Sequence, residues 1–252
     1  MKIAISGKGG VGKTTIMAML ARQFKEMGKE VLVIDADSSP HMAQSLGVAQ
    51  PENIRPISEM KDLLRERSGR VEGSAFYNIN PQVGDLPERF TIEAGGIRLM
   101  VLGAIQSAES GCACAENTVL KRLLTTMLLK PAQVVLLDME AGVEHLGRGT
   151  IAGVDRLLIV VIPSQSGIRT ALKIRKLAEE CRIKNISYVG NLVQDEDDRR
   201  FLAEGLGEEP IAFFPDSREI RQTERRGAAV IDAHAAVADS TAKLAAVLDK
   251  LA

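Results

Sequence analysis

Tryptophan is absent from the 252 residues, and only two Tyr and six Phe are present. At 3% aromatics the chain has little material for a base-stacking platform, which argues against single-stranded nucleic acid as a ligand. An excess of either charge is missing too. Lys and Arg number 32 against 33 Asp and Glu, a formal net charge of −1. That balance leaves no electrostatic footprint for nucleic acid or for an anionic membrane. No apolar run approaches the ~20 residues that a membrane span requires. The apolar N-terminus is too short for a signal peptide, so the protein is expected to stay in the cytoplasm. Cysteine is scarce: Cys112, Cys114 and Cys181 do not make a disulfide framework in a reducing compartment. What remains is an ordinary globular composition, 45% hydrophobic. The length predicts one large domain over 1–252, with no internal repeat, low-complexity tract or linker.

The most informative stretch is at the start. Ile3, Ala4 and Ile5 form a short apolar run suited to a buried strand. Residues 13 to 28 read as a helix with Ile16, Met17, Leu20 and Phe24 on one face. Between them, Gly7-Lys8-Gly9-Gly10-Val11-Gly12-Lys13-Thr14 fits G-x-x-x-x-G-K-[ST], a phosphate-binding loop. Glycines let backbone N–H groups approach a phosphate chain with no Cβ in the way. The helix N-terminus adds unpaired donors and the positive end of its dipole. In this motif Lys13 supplies a cation for the outer phosphates and Thr14 a hydroxyl ligand for Mg²⁺.

Further along, runs of apolar residues alternate with helical patterns, the signature of a doubly wound α/β fold with a mostly parallel sheet. Glu30 to Ile34 is a strand ending in Asp35-Ala36-Asp37, and Val134 to Leu137 is another ending in Asp138. Acids just past strand C-terminal ends lie where open α/β sheets place ligand chemistry. Asp138 is placed like a Walker B carboxylate that holds Mg²⁺ through water, and Gly142 has the spacing to offer its N–H to a terminal phosphate. Phe90 to Glu93 and Ile97 to Leu102 flank Gly95-Gly96 and predict a hairpin, giving one antiparallel edge strand. Leu157 to Ile162, Ile186 to Gly190 and Ile211 to Phe214 are further strands, with helices over 167 to 181 and about 235 to 251. Short helices are expected over 39 to 47 and 57 to 64, and the rest of 50 to 89 reads as a packed insert, mostly loop. Asn191, after a strand end, carries an amide that can pair with an adenine edge. The acidic run from Asp195 reads as a solvated helix start.

Gly111-Cys112-Ala113-Cys114-Ala115 precedes a helix expected over 116 to 130. Two thiols at this spacing do not pair easily with each other, but both can ligate one soft or borderline metal ion. The helix dipole favours the thiolate form. Two ligands are too few for zinc, which commonly takes four, or for nickel with four sulfurs. Cys181 reads as a small core residue. A twofold dimer bringing two Cys112-x-Cys114 pairs together completes a four-sulfur site.

The run Lys8-Gly9-Gly10-Val11-Gly12-Lys13-Thr14-Thr15 resembles the deviant Walker A loop of the MinD, ParA and nitrogenase-iron-protein class of ATPases. The resemblance sharpens at Asp138-Met139-Glu140-Ala141-Gly142-Val143-Glu144-His145-Leu146-Gly147-Arg148-Gly149-Thr150. This stretch looks like switch II of the CooC-type ATPases that support nickel insertion into carbon monoxide dehydrogenase. Ile34-Asp35-Ala36-Asp37 and Cys112-Ala113-Cys114 fit that family too, and the likeness runs through nearly the whole chain. The resemblance implies an ATP-hydrolysing homodimer that binds Ni²⁺ or Zn²⁺ through the paired cysteines, with carbon monoxide dehydrogenase as client. It implies that Lys8 reaches the partner's nucleotide, that Asp35 supports the magnesium shell, and that Asp37 orients the attacking water. It places Asn191 and the loop Pro215-Asp216-Ser217 beside adenine, with Gly9 to Thr15 holding ATP or ADP. Glu140, Glu144 and His145 fit switch geometry better than metal ligation; His41 and His234 read as capping, packing or surface residues. Other readings are a maturation ATPase for acetyl-CoA synthase, a MinD/ParA-like regulatory switch, an iron–sulfur reductase and a passive nickel store.

Overall fold

A strand buried on both faces is apolar at nearly every position, and the N-terminal run Ile3-Ala4-Ile5 meets that demand. Strand β1 (Lys2–Gly7) is buried from Ile3 onward, and β2 (Val31–Ala36) and β5 (Val134–Met139) are buried throughout. A computed structural model of the protein describes residues 1–69, 77–104, 114–129, 133–139 and 153–251. Its sheet has eight strands in the order β3-β4-β2-β5-β1-β6-β7-β8. Here β3 is Thr91–Ala94, β4 Ile97–Val101, β6 Arg156–Val161, β7 Ile186–Val193 and β8 Ala212–Pro215. Every neighbouring pair is parallel except β3 with β4, whose antiparallel hairpin turns at Gly95 and Gly96 with φ 54° and 81°. The expected edge strand is therefore present, and its turn uses the left-handed backbone that glycine tolerates.

The period-two alternation of the strands divides the core. Ile3, Ile5, Val31, Val33, Leu136, Leu158 and Val160 face one layer with α1 (Lys13–Glu26). Ala4, Leu32, Ile34, Val135, Leu137, Leu157 and Ile159 face the other. Two short helices come next in the chain, α2 (Met42–Ser45) and α3 (Lys61–Ser68), followed by α4 (Leu86–Phe90) and α5 (Cys114–Leu129). The second half adds α6 (Gln165–Glu180), α7 (Glu196–Leu206), α8 (Arg218–Arg225) and α9 (Ala238–Lys250). Helices α3, α5, α6 and α7 cover the second layer, whereas α1, α2 and α9 cover the first. Helices on both faces of a mainly parallel sheet make the doubly wound α/β architecture.

Several boundaries differ from expectation, each for a local reason. Helix α1 stops at Glu26, because Gly28 turns left-handed with φ 78° and closes the end. The helix expected over 57 to 64 divides at Met60 into a 3₁₀ turn, Ile57–Glu59, and α3. The described residues of the insert over 50 to 89 are packed as anticipated: Ile57, Leu64, Val83 and Leu86 are buried in the second layer. Strand β7 continues past Gly190 to Val193 through a register shift against β8, and Leu192 there has φ 56°. Asn191 thus lies within a strand, not after one. The helix start expected at the acidic run is present, and Asp195 caps α7 there, accepting the Asp198 N–H at 3.0 Å.

Sheet order positions the site. From β1 the chain passes outward to β2 on one side, while β6 flanks β1 on the other. The crevice at the carboxyl end of β1 is the place where open α/β sheets bind ligands. Gly7, Asp35 and Asp138 reach that end on three strands, with Asp35 and Asp138 directly opposite in register.

Candidate active site

The loop from Gly7 to Lys13 leaves β1 and enters α1, with Gly7 and Gly12 at positions where a side chain would clash. A Cβ on Gly7 would lie 2.6 Å from the Val160 carbonyl oxygen. Gly12 has φ 88°, and a Cβ there would lie 2.3 Å from Nδ2 of Asn191. The same Asn191 nitrogen donates to the Val11 carbonyl at 2.7 Å, so the end of β7 clamps the loop. Lys13 is 8% exposed, and its Nζ donates to the Gly7 carbonyl at 3.4 Å, folding the ammonium back over the loop.

Beside the loop lies a cleft of ≈ 690 Å³, lined by Gly9 to Thr15, Asp37, Asn191, Pro215 and residues of α8. Such a volume suits a small organic ligand. Asp37 stands at its rim, where its Oδ1 accepts the Ser39 N–H at 2.9 Å. Asp216 forms an ion pair with Arg221. Lys8 is exposed, and its Nζ donates to Ser166 near the start of α6 at 3.2 Å. Cys112 and Gly142, with Glu140, Glu144 and His145, lie outside the described residues. Cys114 is the first residue of α5, not part of the loop before it. Among the described residues no group of three or more His, Cys, Asp or Glu could hold a metal ion, and no helix is long and apolar enough to cross a membrane.

The electrostatics centre on two buried carboxylates. Asp35 is fully buried; its carboxylate accepts the N–H groups of Asp37 at 3.2 Å and Met42 at 3.0 Å. Burial still raises its pKa, against those two hydrogen bonds. Asp138 accepts the Thr14 hydroxyl on Oδ2 at 2.6 Å. Its Oδ1 is buried with no partner among the described residues. Burial first, and the Asp35 charge second, push the Asp138 carboxyl up to about 7, against the Thr14 hydrogen bond and the Lys13 charge. A buried oxygen without a partner carries a cost that a bound group can remove. Hydroxyl and carboxylate oxygens form a donor set for a hard divalent cation, and the orphaned Oδ1 beside Thr14 fits Mg²⁺.

Comparison with known proteins decides the family. Residues 2–231 match the CobQ/CobB/MinD/ParA nucleotide binding domain. The chain belongs to this family. It is a CooC-type ATPase of the MinD/ParA class, as its similarity to curated proteins bears out. It is 39% identical over 256 residues to the carbon monoxide dehydrogenase accessory protein CooC of Rhodospirillum rubrum, covering 100% of this chain and 97% of that one. It is 41% identical over 232 residues to an uncharacterised ATP-binding protein of Methanocaldococcus jannaschii, covering 90% of each. Solved structures share the fold. The MinC:MinD complex of Aquifex aeolicus has a TM-score of 0.72 at 22% identity, covering 98% of this chain and 95% of that one. MinD of Pyrococcus horikoshii, in complex with Mg-ADP, has a TM-score of 0.68 at 21% identity, covering 99% and 96%.

The structure brings together the loop, both buried acids, Asp37, Asn191 and Pro215. Sequence reasoning missed Glu224 and Arg221, which α8 contributes to the cleft lining. Helix α8 has no apolar stripe to announce it. Ser217 was the available signal: its hydroxyl caps the helix by accepting the Ile220 N–H at 3.3 Å.

Proposed function

We propose that this protein is an ATP-hydrolysing accessory factor in the cytoplasm that assists nickel insertion into carbon monoxide dehydrogenase, working as a homodimer. The observation that carries this reading is the end-to-end similarity to CooC, 39% identity over 256 residues. Cys112 and Cys114, at a spacing that lets both ligate one ion, support it independently. Ni²⁺, or Zn²⁺ in its place, is cargo held between two subunits by four sulfurs.

ATP occupies the cleft with its phosphates in the loop. Backbone N–H groups of Gly9 to Thr15 cradle them, and Lys13 leaves the Gly7 carbonyl to meet the outer phosphates. Thr14, with Asp138 and the shell supported by Asp35, holds Mg²⁺, which when bound supplies positive charge against the phosphates. Asp37 orients the attacking water, and Gly142 donates its N–H to the terminal phosphate. Asn191, Pro215 and Asp216 border the adenine. Lys8 leaves Ser166 and reaches the nucleotide of the partner subunit, so that only a pair of chains completes both charge clamps.

Subunit closure brings the Cys112 and Cys114 pairs together, coupling nickel affinity to nucleotide state. Equilibrium dialysis of nickel with and without ATP, on wild type and Lys8→Ala, tests this coupling. ATP should change nickel affinity in wild type and leave it unchanged in Lys8→Ala. Equal nickel affinity with and without ATP in wild type would overturn the reading.

A further inference from the structure

Asp35 is gripped from outside its own strand. The chain leaves β4, passes the buried Leu102 and turns left-handed at Gly103, with φ 76°. That turn brings two successive N–H groups to one oxygen. The Asp35 carbonyl accepts Leu102 at 2.8 Å and Gly103 at 3.1 Å. The Asp37 and Met42 N–H groups hold the carboxylate of the same residue. In turn, the Leu102 carbonyl accepts the Ser58 N–H at 2.9 Å, from the 3₁₀ turn Ile57–Glu59 of the insert. The junction has no slack: a Cβ on Gly103 would overlap the Ser58 Oγ and lie 2.9 Å from the Pro56 Cβ.

The same insert holds the helix that begins at the second cysteine. After the 3₁₀ turn it continues into α3, which packs on α5. Ile57 and Leu64 are buried in one core with Val119, Leu120 and Leu123 of α5. Arg65 extends the contact to the first turn of α5, its Nε lying 3.9 Å from the Glu116 carboxylate. In sequence Gly103 leads on to Cys112, and Cys114 is the first residue of α5. Residues 56–65 therefore grip the chain on both sides of the cysteine pair, before it at Leu102 and after it along α5. Close packing passes a displacement on instead of absorbing it.

We propose that the Gly103 junction and residues 56–65 join the magnesium side of the nucleotide site to the cysteine pair within one subunit, so that Mg-nucleotide resets the two thiols before subunits meet. This inference rests on the nucleotide reading of the cleft given above and adds the route between the two sites. Asp35 faces Asp138 in register, so a change of charge at that pair acts on Asp35 directly. Its main chain hands the shift to Leu102 and Gly103, and the insert carries it to α5. The four-sulfur site still requires two chains, but each chain sets its own cysteines. Gly103, Ser58 and Leu64 are positioning residues on this route.

The test reads the thiols directly, without nickel. The parent protein carries Lys8→Ala and Cys181→Ser, which removes the reach to a partner and leaves Cys112 and Cys114 as its only thiols. Their rate of modification by an aromatic disulfide reagent is compared under saturating ADP with Mg²⁺ and with EDTA. Calorimetry measures ADP binding on the same samples. In the parent the two rates should differ about fivefold or more, the lower end of typical coupling between linked sites. Gly103→Ala should bring their ratio close to one while ADP still binds. Leu64→Ala, which leaves the junction and both cysteines in place, should lower the ratio as well. A parent ratio of one would overturn the proposal and leave the nucleotide reading standing. So would a full parent ratio kept in Gly103→Ala or in Leu64→Ala. No ADP binding by the parent would overturn the nucleotide reading itself and this proposal with it.

Discussion

Asp138→Asn should stabilise the nucleotide-free protein in mildly alkaline buffer while silencing hydrolysis. Asp138 is 1% exposed, and burial with the facing Asp35 charge lifts its carboxyl from 3.8 to about 7. Its folded pKa therefore stands above its unfolded one. Between those two values the folded chain holds a proton that the unfolded chain has released, so stability falls as pH rises through the window. Above about pH 7 the whole penalty is present. At about 1.4 kcal/mol per tenfold change in proton affinity, the displacement from 3.8 to about 7 comes to roughly 4 kcal/mol as an upper bound. Asparagine carries no charge and keeps an oxygen for the Thr14 hydroxyl. It also sets an N–H donor where Asp138 has an Oδ1 without a partner among the described residues, which costs about 1–3 kcal/mol. The net gain should be about 1–3 kcal/mol at about pH 8, shrinking to within about 1 kcal/mol of wild type at about pH 5. Urea unfolding without Mg²⁺ or nucleotide, across that pH range, measures it, and phosphate release reads the lost activity. A variant less stable than wild type at about pH 8, or a stability difference that does not change with pH, would refute the reasoning.

Other expectations follow from single contacts. Lys13→Ala should lower kcat/KM for ATP by about 10²-fold or more, as for loss of a preorganised charge at a phosphoryl site, measured by steady-state hydrolysis. Gly12→Ala should cost about 1–3 kcal/mol of stability, since φ is 88° and the new Cβ would press on Asn191; thermal melting checks it. Cys114→Ser should abolish stoichiometric nickel while leaving nucleotide binding intact, read by anaerobic metal analysis and calorimetry on one preparation.

Much of the fold was legible because its code is local. Buried parallel strands are short continuous apolar runs, and those at β1, β2, β5 and β6 stand out from their surroundings. The Gly95-Gly96 turn marks the antiparallel edge. The loop and the acids at Asp35 and Asp138 follow from motif order, since each sits at the end of such a run. What was not legible depends on tertiary contact. The orphaned oxygen of Asp138 and its facing Asp35 arise from register between strands about a hundred residues apart in sequence. Helix α8 shows no apolar periodicity because none of its residues is buried, and it was missed along with Glu224. Asn191 was recognised as a cleft residue, but its clamp on the Val11 carbonyl needs the extra length of β7 that the bulge supplies.

The most direct test of the central claim is the mass and metal content of the anaerobic protein under saturating ATP and nickel, for wild type and Cys112→Ser. Wild type should run as a dimer carrying one nickel ion per pair of chains, and Cys112→Ser should carry none. A wild-type protein that stays monomeric under these conditions, or a Cys112→Ser variant that keeps its full nickel, would contradict the account.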